Sequence, residues 1–338
     1  MDNVVARSWR GEIVESLIRA HIAVADIEGN LLYATGDPSY VTYWRSSSKP
    51  IQALPLVESG AVDALGLSEE ELSVVCASHN GEDFHTDAVR SILKKASLSE
   101  DALQCGSHPI DRSFHRRDLP DAAEPLRIHS NCSGKHAGML AVSQHMKWPI
   151  GSYRDPLHPL QQQNLRNLAE LSDYPADQIC IGIDGCGVPV FSMPIRNIAL
   201  AFARLAHPVG LPSSRQDALA RIRDAMMAYP HMVGGTNRFD SDLMRGAAGS
   251  VVSKGGAAAL QAIGLPNRGI GIAVKIEDAD ASYIAPTSIA VLEQLGALSA
   301  PALESLKKYR EFESYINTHD ELVGHTETTL MLQSTIAK

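Results

Sequence analysis

Ser46 and Lys49 have the spacing of a nucleophile and its base. They lie three residues apart in the segment RSSSKP at positions 45–50. Positions i and i+3 of a helix share a face, so the lysine amine can reach the serine hydroxyl. Serine is a poor nucleophile until a base removes its proton. Lysine is a base only as the neutral amine, so burial or a neighbouring cation must lower its pKa. The pair predicts a covalent acyl-transfer enzyme whose central step needs no organic cofactor.

A second polar segment, SHNGE at 78–82, closes the apolar run 74–77. Polar side chains at the end of a buried element often line a site, which makes Ser78 and Asn80 candidates. The alternative is that one of them only caps the helix that begins near residue 84.

A third segment, KGG at 254–256, offers the ammonium of Lys254, followed by small residues that let a substrate lie close to the backbone. The three segments have the order S-x-x-K, S-x-N, K-[ST]-G of penicillin-recognising enzymes. The second segment comes early, however, and Gly255 replaces the hydroxyl residue of the third motif.

Two cysteine-containing segments suggest a metal site. Cys132 and Lys135 are three residues apart with His136 beside them, and the segment DGCG at 184–187 adds Cys186. Thiolates, imidazole and neutral amine are suitable ligands for a soft metal such as zinc, although the spacing matches no zinc finger. The alternative is that both cysteines are small buried residues. The glycines at 182–187 lack the order of a dinucleotide-binding loop.

Composition excludes several function classes. The chain has 338 residues, 44% of them hydrophobic, and a formal net charge of −9 without a basic stripe, which argues against nucleic acid as a partner. No apolar run is long enough for a membrane helix, and the amino terminus lacks a signal pattern. Five cysteines, an odd number, fit a reduced cytoplasm better than a disulfide scaffold.

The elements that must position these groups indicate an α+β fold. Residues 22–27 and 31–35 read as a hairpin, residues 179–183 and 269–277 as strands, and residues 47–59 as a helix bent or ended by its second proline. Further helices are predicted at 84–96, 156–172, 195–206, 214–228, 286–296 and 301–316. We expect a single unit over 1–338 whose antiparallel sheet joins strands from both ends of the chain, with a helix-rich middle at about 50–230.

Four ordered segments carry a family resemblance: SSSKPIQA (46–53), CASHNGE (76–82), NCSGKHAG (131–138) and DGCGVP (184–189). They resemble the rhizobial-type L-asparaginases, also called class 3 or asparaginase II-like. The resemblance runs from about residue 10 to 335. It implies the serine β-lactamase, penicillin-binding-protein and glutaminase-like fold, hydrolysis of L-asparagine to L-aspartate and ammonia, and a homodimer.

The resemblance also implies roles for particular residues. Two Ser–Lys tandems fall on Ser46 with Lys49 and on Ser78 with Lys254. A zinc ion that orients the substrate falls on Cys132, Lys135 and Cys186, and the residues expected to border or bind the substrate are Asp184, His136, Asn80 and Arg45. An acidic residue is expected soon after the second lysine, but here glycines and alanines follow Lys254.

These observations predict an asparagine amidohydrolase in which Lys49 takes the proton of Ser46, directly or through Ser78. Ser46 is the expected nucleophile and Ser78 its rival. The alternatives are a glutaminase or another serine amidohydrolase of the penicillin-recognising superfamily and, from a different class, a catalytically silent protein that binds amino acids or metal.

Overall fold

The computed structural model of the protein describes residues 3–107, 126–310, 312 and 314–335. Its strands are β1 (Val4–Arg10), β2 (Ile13–Asp26), β3 (Leu31–Thr35), β4 (Val41–Tyr43), β5 (Ile181–Ile183), β6 (Pro189–Pro194), β7 (Val252–Gly256), β8 (Leu260–Leu265), β9 (Ile270–Ile276), β10 (Tyr315–Ile316), β11 (Leu322–Thr328) and β12 (Gln333–Ser334).

The helices are α1 (Lys49–Gln52), α2 (Leu54–Glu58), α3 (Ala61–Ala64), α4 (Glu69–Val75), α5 (Asp83–Lys95), α6 (Ser133–His145), α7 (Pro159–Ser172), α8 (Ile195–Ala206), α9 (Ser213–Ala228), α10 (Pro230–Val233), α11 (Phe239–Gly246), α12 (Ile284–Gln294) and α13 (Ala300–Ser305). A 3₁₀ turn, Arg45–Ser48, leads directly into α1.

The main sheet is antiparallel and has the strand order β10-β11-β1-β2-β9-β8-β7, with β3 beside β2 and β12 beside β3. Strand β2 is long enough to pair with β1 through its first half and with both β3 and β9 through its second half. Strands β4, β6 and β5 form a separate small sheet. The expected α+β architecture, with a sheet built from both ends of the chain, is confirmed.

Alternation along the central strands explains how helices cover both faces of the sheet. In β2, Ala23 and Ala25 belong to the same buried cluster as Phe202 of α8, whereas Ile22 and Val24 belong to the cluster that contains α12. Successive strand residues point to opposite faces, so one face is lined by small side chains and the other by large ones. The small face lets α8 lie close: a Cβ on Gly271 would be 1.9 Å from the Ala199 carbonyl oxygen.

The helix-rich region lies between β4 and β7 and supplies most of the segments that surround the candidate site. The predicted helix 47–59 divides where expected: α1 ends at Gln52, and α2 begins at Leu54 with Pro55 in its first turn. This position suits proline, which has no N–H to donate. Within the residues that the structure describes, no helix has both the length and the apolar character needed to span a bilayer.

The predicted helix over 301–316 is wrong. Helix α13 ends at Ser305, and Tyr315 and Ile316 form strand β10 on the edge of the main sheet, paired with β11. The short connection at 317–321 brings β11 back beside β10, and hydrogen bonds between the two strands override the local helical pattern here.

Candidate active site

A pocket of about 310 Å³ brings together side chains from distant parts of the chain. Ser46 comes from the 3₁₀ turn before α1, Ser78 from the loop after α4, and Lys254 from β7. The polar residues lining this catalytic pocket are Ser46, Ser78, Asn131, Arg238, Asp240, Lys254 and Gln261. Three of the four residues expected to be catalytic therefore face one cavity.

The fourth, Lys49, lies beneath this pocket and contacts Ser78. Its side chain is buried, and its Nζ is 3.0 Å from the Ser78 Oγ. The same nitrogen donates to the carbonyl oxygens of Ala77 and Asn131. Lys49 is the donor in all three contacts, which suits the three N–H groups of its charged form; when it loses a proton, the freed lone pair can accept the Ser78 hydroxyl proton.

Burial lowers the pKa of Lys49, because the interior penalises the charged amine. The nearby Lys135 lowers it further, whereas Cys132 and Cys186 act in the opposite direction. The net shift favours the neutral form that a general base requires.

Ser46 lies in the same pocket without the partner that the sequence predicted. Among the residues described, its hydroxyl has no hydrogen bond to Lys49, although the backbone N–H of Lys49 donates to the Ser46 carbonyl. The preceding residue, Arg45, has a φ of 50°, a left-handed conformation that costs energy for a residue with a side chain. An ion pair of 2.7 Å between Arg45 Nε and Asp184 Oδ1 helps to hold it there.

The turn that carries Ser46 lies against β7, and a glycine makes this approach feasible. A Cβ added to Gly256 would lie 2.8 Å from the carbonyl oxygen of Trp44. Contacts this short are not found for real side chains, so the third motif needs a glycine here to place Lys254 and Ser46 around one cavity.

Lys254 is fully buried and is paired with an acidic residue that sequence analysis missed. Its Nζ lies 3.6 Å from Asp240 Oδ2 and donates to the Gly255 carbonyl at 2.7 Å. Burial and the charge of Lys49 lower the pKa of Lys254 to about 8, while Asp240 works against this shift. The expected acidic partner thus precedes the lysine in the chain rather than following it, and nothing local to Lys254 pointed to it.

Asp240 is itself held in place by donors from two strands. It accepts hydrogen bonds from Ser253 Oγ at 2.8 Å, Gln261 Nε2 at 2.7 Å and the Gly255 backbone N–H at 2.8 Å. Burial alone would raise the pKa of Asp240, but Lys254 and these donors lower it. The carboxylate therefore stays charged next to Lys254.

Backbone hydrogen bonds fix the loop that carries Ser78. The N–H of Ser78 donates to the Val233 carbonyl at 2.9 Å, and the N–H of Asn80 donates to the Gly234 carbonyl at 3.0 Å. The N-cap of α5 is Glu82, so the alternative that Ser78 or Asn80 only caps this helix is wrong.

The cysteine segments form a second cluster, which we call the thiol cluster: Cys132, Lys135 and Cys186. Lys135 Nζ donates to the Cys186 Sγ at 3.0 Å. A hydrogen bond between the two thiols lowers the pKa of Cys132 well below its usual value and raises that of Cys186. Burial would lower the pKa of Lys135, but the two sulfurs raise it to about 12.

Close helix packing positions the thiol cluster. Gly134, between Cys132 and Lys135, would place a Cβ only 2.1 Å from the Val74 carbonyl oxygen. Glycine therefore lets α6 lie directly against α4. Lys49 connects the two regions, since it contacts Ser78 on one side and hydrogen-bonds to Cys132 on the other.

The candidate substrate-binding residues lie around these clusters. Arg45, Asn80, Asp184 and His136 are not among the described residues that line the catalytic pocket. Asp184 pairs with Arg45, and this partner together with Lys135 lowers its pKa although burial opposes the shift. His136 is buried and bonded through Nδ1 to the Tyr153 hydroxyl at 2.7 Å, and burial lowers its pKa well below the usual value.

The chemistry of the thiol cluster fits a zinc ion. Two adjacent thiols and an amine 3.0 Å from one of them are donors that zinc accepts. The buried His136 Nε2 has no hydrogen-bond partner in the described parts of the chain, but it is not grouped with the two cysteines. Over residues 3–107, 126–310, 312 and 314–335, no three His, Cys, Asp or Glu side chains are grouped to hold a metal. The expected ligand set has only two such side chains, so zinc remains a prediction.

Comparison with known proteins gives one family. Residues 6–328 match the family described as L-asparaginase II, which covers nearly the whole chain. No curated protein sequence matches significantly.

Solved structures show more distant likeness. The protein Mglu, in its native form with 4.3 M NaCl, is 14% identical with a TM-score of 0.45; the match covers 84% of this chain and 62% of Mglu. A β-lactamase from Mycobacterium bovis is also 14% identical, with a TM-score of 0.42, over 81% of this chain and 94% of the other. This chain thus spans less than two thirds of the length of Mglu.

Proposed function

The chain belongs to the L-asparaginase II family, and we propose that it is an amidohydrolase that converts L-asparagine to L-aspartate and ammonia. The observation that carries this proposal is the 3.0 Å contact between Lys49 Nζ and Ser78 Oγ at the catalytic pocket. A buried amine with a lowered pKa beside a serine is the arrangement that activates a weak nucleophile.

In the proposed reaction, Lys49 accepts the proton of the Ser78 hydroxyl as the Ser78 Oγ attacks the side-chain amide carbon. The tetrahedral intermediate collapses as its C–N bond breaks, and the proton on Lys49 passes to the leaving nitrogen, which departs as ammonia. Water then hydrolyses the serine ester, again with Lys49 as the base, and L-aspartate leaves.

Ser46, the nucleophile that the sequence predicted, becomes the second candidate here. Its hydroxyl faces the same pocket with no hydrogen-bond partner among the described residues, so it is available to a substrate. Its proton would reach Lys49 through Ser78, which is the relay that the sequence also predicted. The direct contact with Lys49 makes Ser78 our first choice.

Lys254 and Asp240 complete the proposed machinery as a charge pair at the pocket wall. With a pKa near 8, Lys254 is partly neutral in mildly alkaline solution. Its charge also acts on Lys49, because like charges in a buried site oppose each other's ionisation.

We propose zinc as a further component, held by Cys132, Lys135 and Cys186. When bound, the metal would supply positive charge that orients an electron-rich group of the substrate. The serines already provide the attacking group, so we assign the ion to orientation rather than to hydrolysis.

Ammonia release by the purified full-length chain tests the function. We expect turnover of L-asparagine and much weaker turnover of L-glutamine. One methylene in a pocket is worth only about 1–3 kcal/mol, so strong discrimination requires that the rest of the substrate is anchored. Equal efficiency on the two amides would favour the glutaminase alternative, acylation by a β-lactam would favour a penicillin-recognising enzyme, and no ammonia from either amide would favour a binding protein.

Assembly and location belong to the same proposal. We propose a homodimer, as the family resemblance implies, and a location in the cytoplasm, because the five cysteines are all free thiols, which suits a reducing compartment. Sedimentation of the purified chain would detect a monomer and so refute the dimer.

A further inference from the structure

An exposed arginine at the edge of the catalytic pocket carries a positive charge that none of the other described lining residues neutralises. Three charged side chains line the pocket: Arg238, Asp240 and Lys254. Asp240 and Lys254 pair with each other. Arg238 makes no ion pair within the described parts of the chain, and its recorded hydrogen bond is to a neutral amide, from Nη1 to Asn80 Oδ1 at 3.1 Å.

The contrast with Arg45 shows why this matters. Arg45 was the sequence-based candidate for binding the substrate, but its guanidinium is already paired with Asp184 at 2.7 Å. The charge of Arg45 is therefore already balanced by a carboxylate, whereas the charge of Arg238 is not. Arg238 has five N–H donors in a planar fork and uses one of them, so it keeps the capacity for a two-point bond to a carboxylate.

A chain of hydrogen bonds holds Arg238 at the pocket. Glu82 is buried and accepts from the Thr236 N–H at 2.7 Å and from the Thr236 Oγ1 at 2.8 Å. The Asn80 Nδ2 donates to the Thr236 carbonyl at 3.0 Å, which turns its Oδ1 toward Arg238. The loop that fixes Ser78 thus also aims the guanidinium, and the two groups are positioned by one segment.

We propose that Arg238 binds the α-carboxylate of the substrate and that the pocket therefore selects amides with a free carboxylate. This inference rests on the proposed function, since the amide is opened by a serine of the same pocket. An α-carboxylate is the one anionic group of asparagine, and a fork of guanidinium donors recognises its planar oxygens. Asn80 acts as a positioning residue for Arg238 rather than as a substrate ligand.

The test compares L-asparagine with its α-methyl ester, which keeps the side-chain amide but has no carboxylate charge. We expect Arg238→Gln to lower kcat/KM for L-asparagine by about 10- to 100-fold, mainly through KM, the range for losing a charged hydrogen bond. The same substitution leaves ester turnover within about threefold of the wild type. Arg238→Lys, which keeps the charge but loses the fork, gives an intermediate loss on asparagine.

The matched control is Arg245→Gln. Arg245 lies on α11 like the residues that follow Arg238, is exposed, and pairs with Asp242 at 2.7 Å outside the pocket. This variant keeps wild-type kinetics with both substrates. An Arg238→Gln protein that loses activity equally on asparagine and ester, or on neither, overturns the proposed anchor.

Failure of the proposed function has a different signature. If the wild-type chain releases no ammonia from either compound, the amidohydrolase proposal fails, and calorimetric binding of L-asparagine and its ester to wild-type and Arg238→Gln proteins still decides the role of Arg238. The proposed role of Arg238 is supported if the wild-type protein binds L-asparagine more tightly than the ester and the Arg238→Gln protein does not. It is overturned if each compound binds equally well to the two proteins.

Discussion

The two lysines of the candidate site are both buried, yet their surroundings prepare them for different tasks. Lys49 contacts a serine hydroxyl, two backbone carbonyls and the thiol of Cys132, whereas Lys254 is paired with the carboxylate of Asp240. Burial lowers the pKa of each. Burial alone therefore does not make a lysine a general base, because its neighbours also matter. The neutral amine of Lys49 would lie beside a hydroxyl that can give it a proton, whereas the charge of Lys254 is balanced by a carboxylate.

We expect the largest loss of activity when the serine that Lys49 contacts, Ser78, is replaced. We expect Ser78→Ala to lower kcat for L-asparagine by about 10³-fold or more, because the proposed nucleophile, a hydroxyl in contact with Lys49, is lost. Ser46→Ala should cost less. Steady-state ammonia release checks both, with Ser73→Ala, a buried serine that bonds the Tyr229 carbonyl, as the control.

The reverse ranking would change the assignment. If the Ser46→Ala protein is inactive and the Ser78→Ala protein retains part of the wild-type rate, Ser46 is the nucleophile and Ser78 is a dispensable relay.

The pairing of Lys254 predicts a pH dependence of intermediate size. If neutral Lys254 is the active form, kcat/KM rises with pH through about 8, the pKa of this lysine. Asp240 stabilises the charged lysine, so Asp240→Asn should lower that pKa and move the inflection to more acidic pH by about one unit. A pH profile of ammonia release at subsaturating asparagine measures this. If the Asp240→Asn inflection lies at the wild-type pH, a group other than Lys254 causes it.

Removal of metal is expected to have the smallest effect on the maximum rate. If zinc in the thiol cluster orients the substrate, a chelated enzyme should show a KM raised by about 3- to 10-fold with kcat unchanged. Saturation kinetics before and after chelation, with circular dichroism to confirm the fold, test this. Complete loss of turnover in a folded protein would instead give the metal a part in the chemical step.

The sequence predicted the local parts of the fold well. The hairpin 22–35, helix α8 and strand β9 have patterns strong enough to fix them, and the structure confirms all three. Strand β11 escaped notice because its pairing with β1 joins opposite ends of the chain: Ala6 pairs with Thr328. Cross-strand pairing of this kind leaves no mark in a short window of sequence.

The candidate site shows the same division. Its motifs named Ser46, Ser78 and Lys254, which the structure brings to one pocket. Lys49 contacts the hydroxyl of Ser78 instead of that of Ser46. This contact depends on the loop after α4, so it could not be derived from the i, i+3 spacing. Asp240 and Arg238 lie in a segment without a motif, and only packing against β7 and Asn80 reveals them.

Steady-state ammonia release by Lys49→Met tests the central claim most directly. Methionine fills similar space without a basic nitrogen, and Lys275→Met, at a buried lysine of β9 that does not line the pocket, controls for loss of a buried amine. The account predicts that Lys49→Met loses about 10²- to 10⁴-fold in kcat, the range for a general base, while Lys275→Met stays near wild type. A folded Lys49→Met enzyme that turns over L-asparagine at the wild-type rate would contradict it.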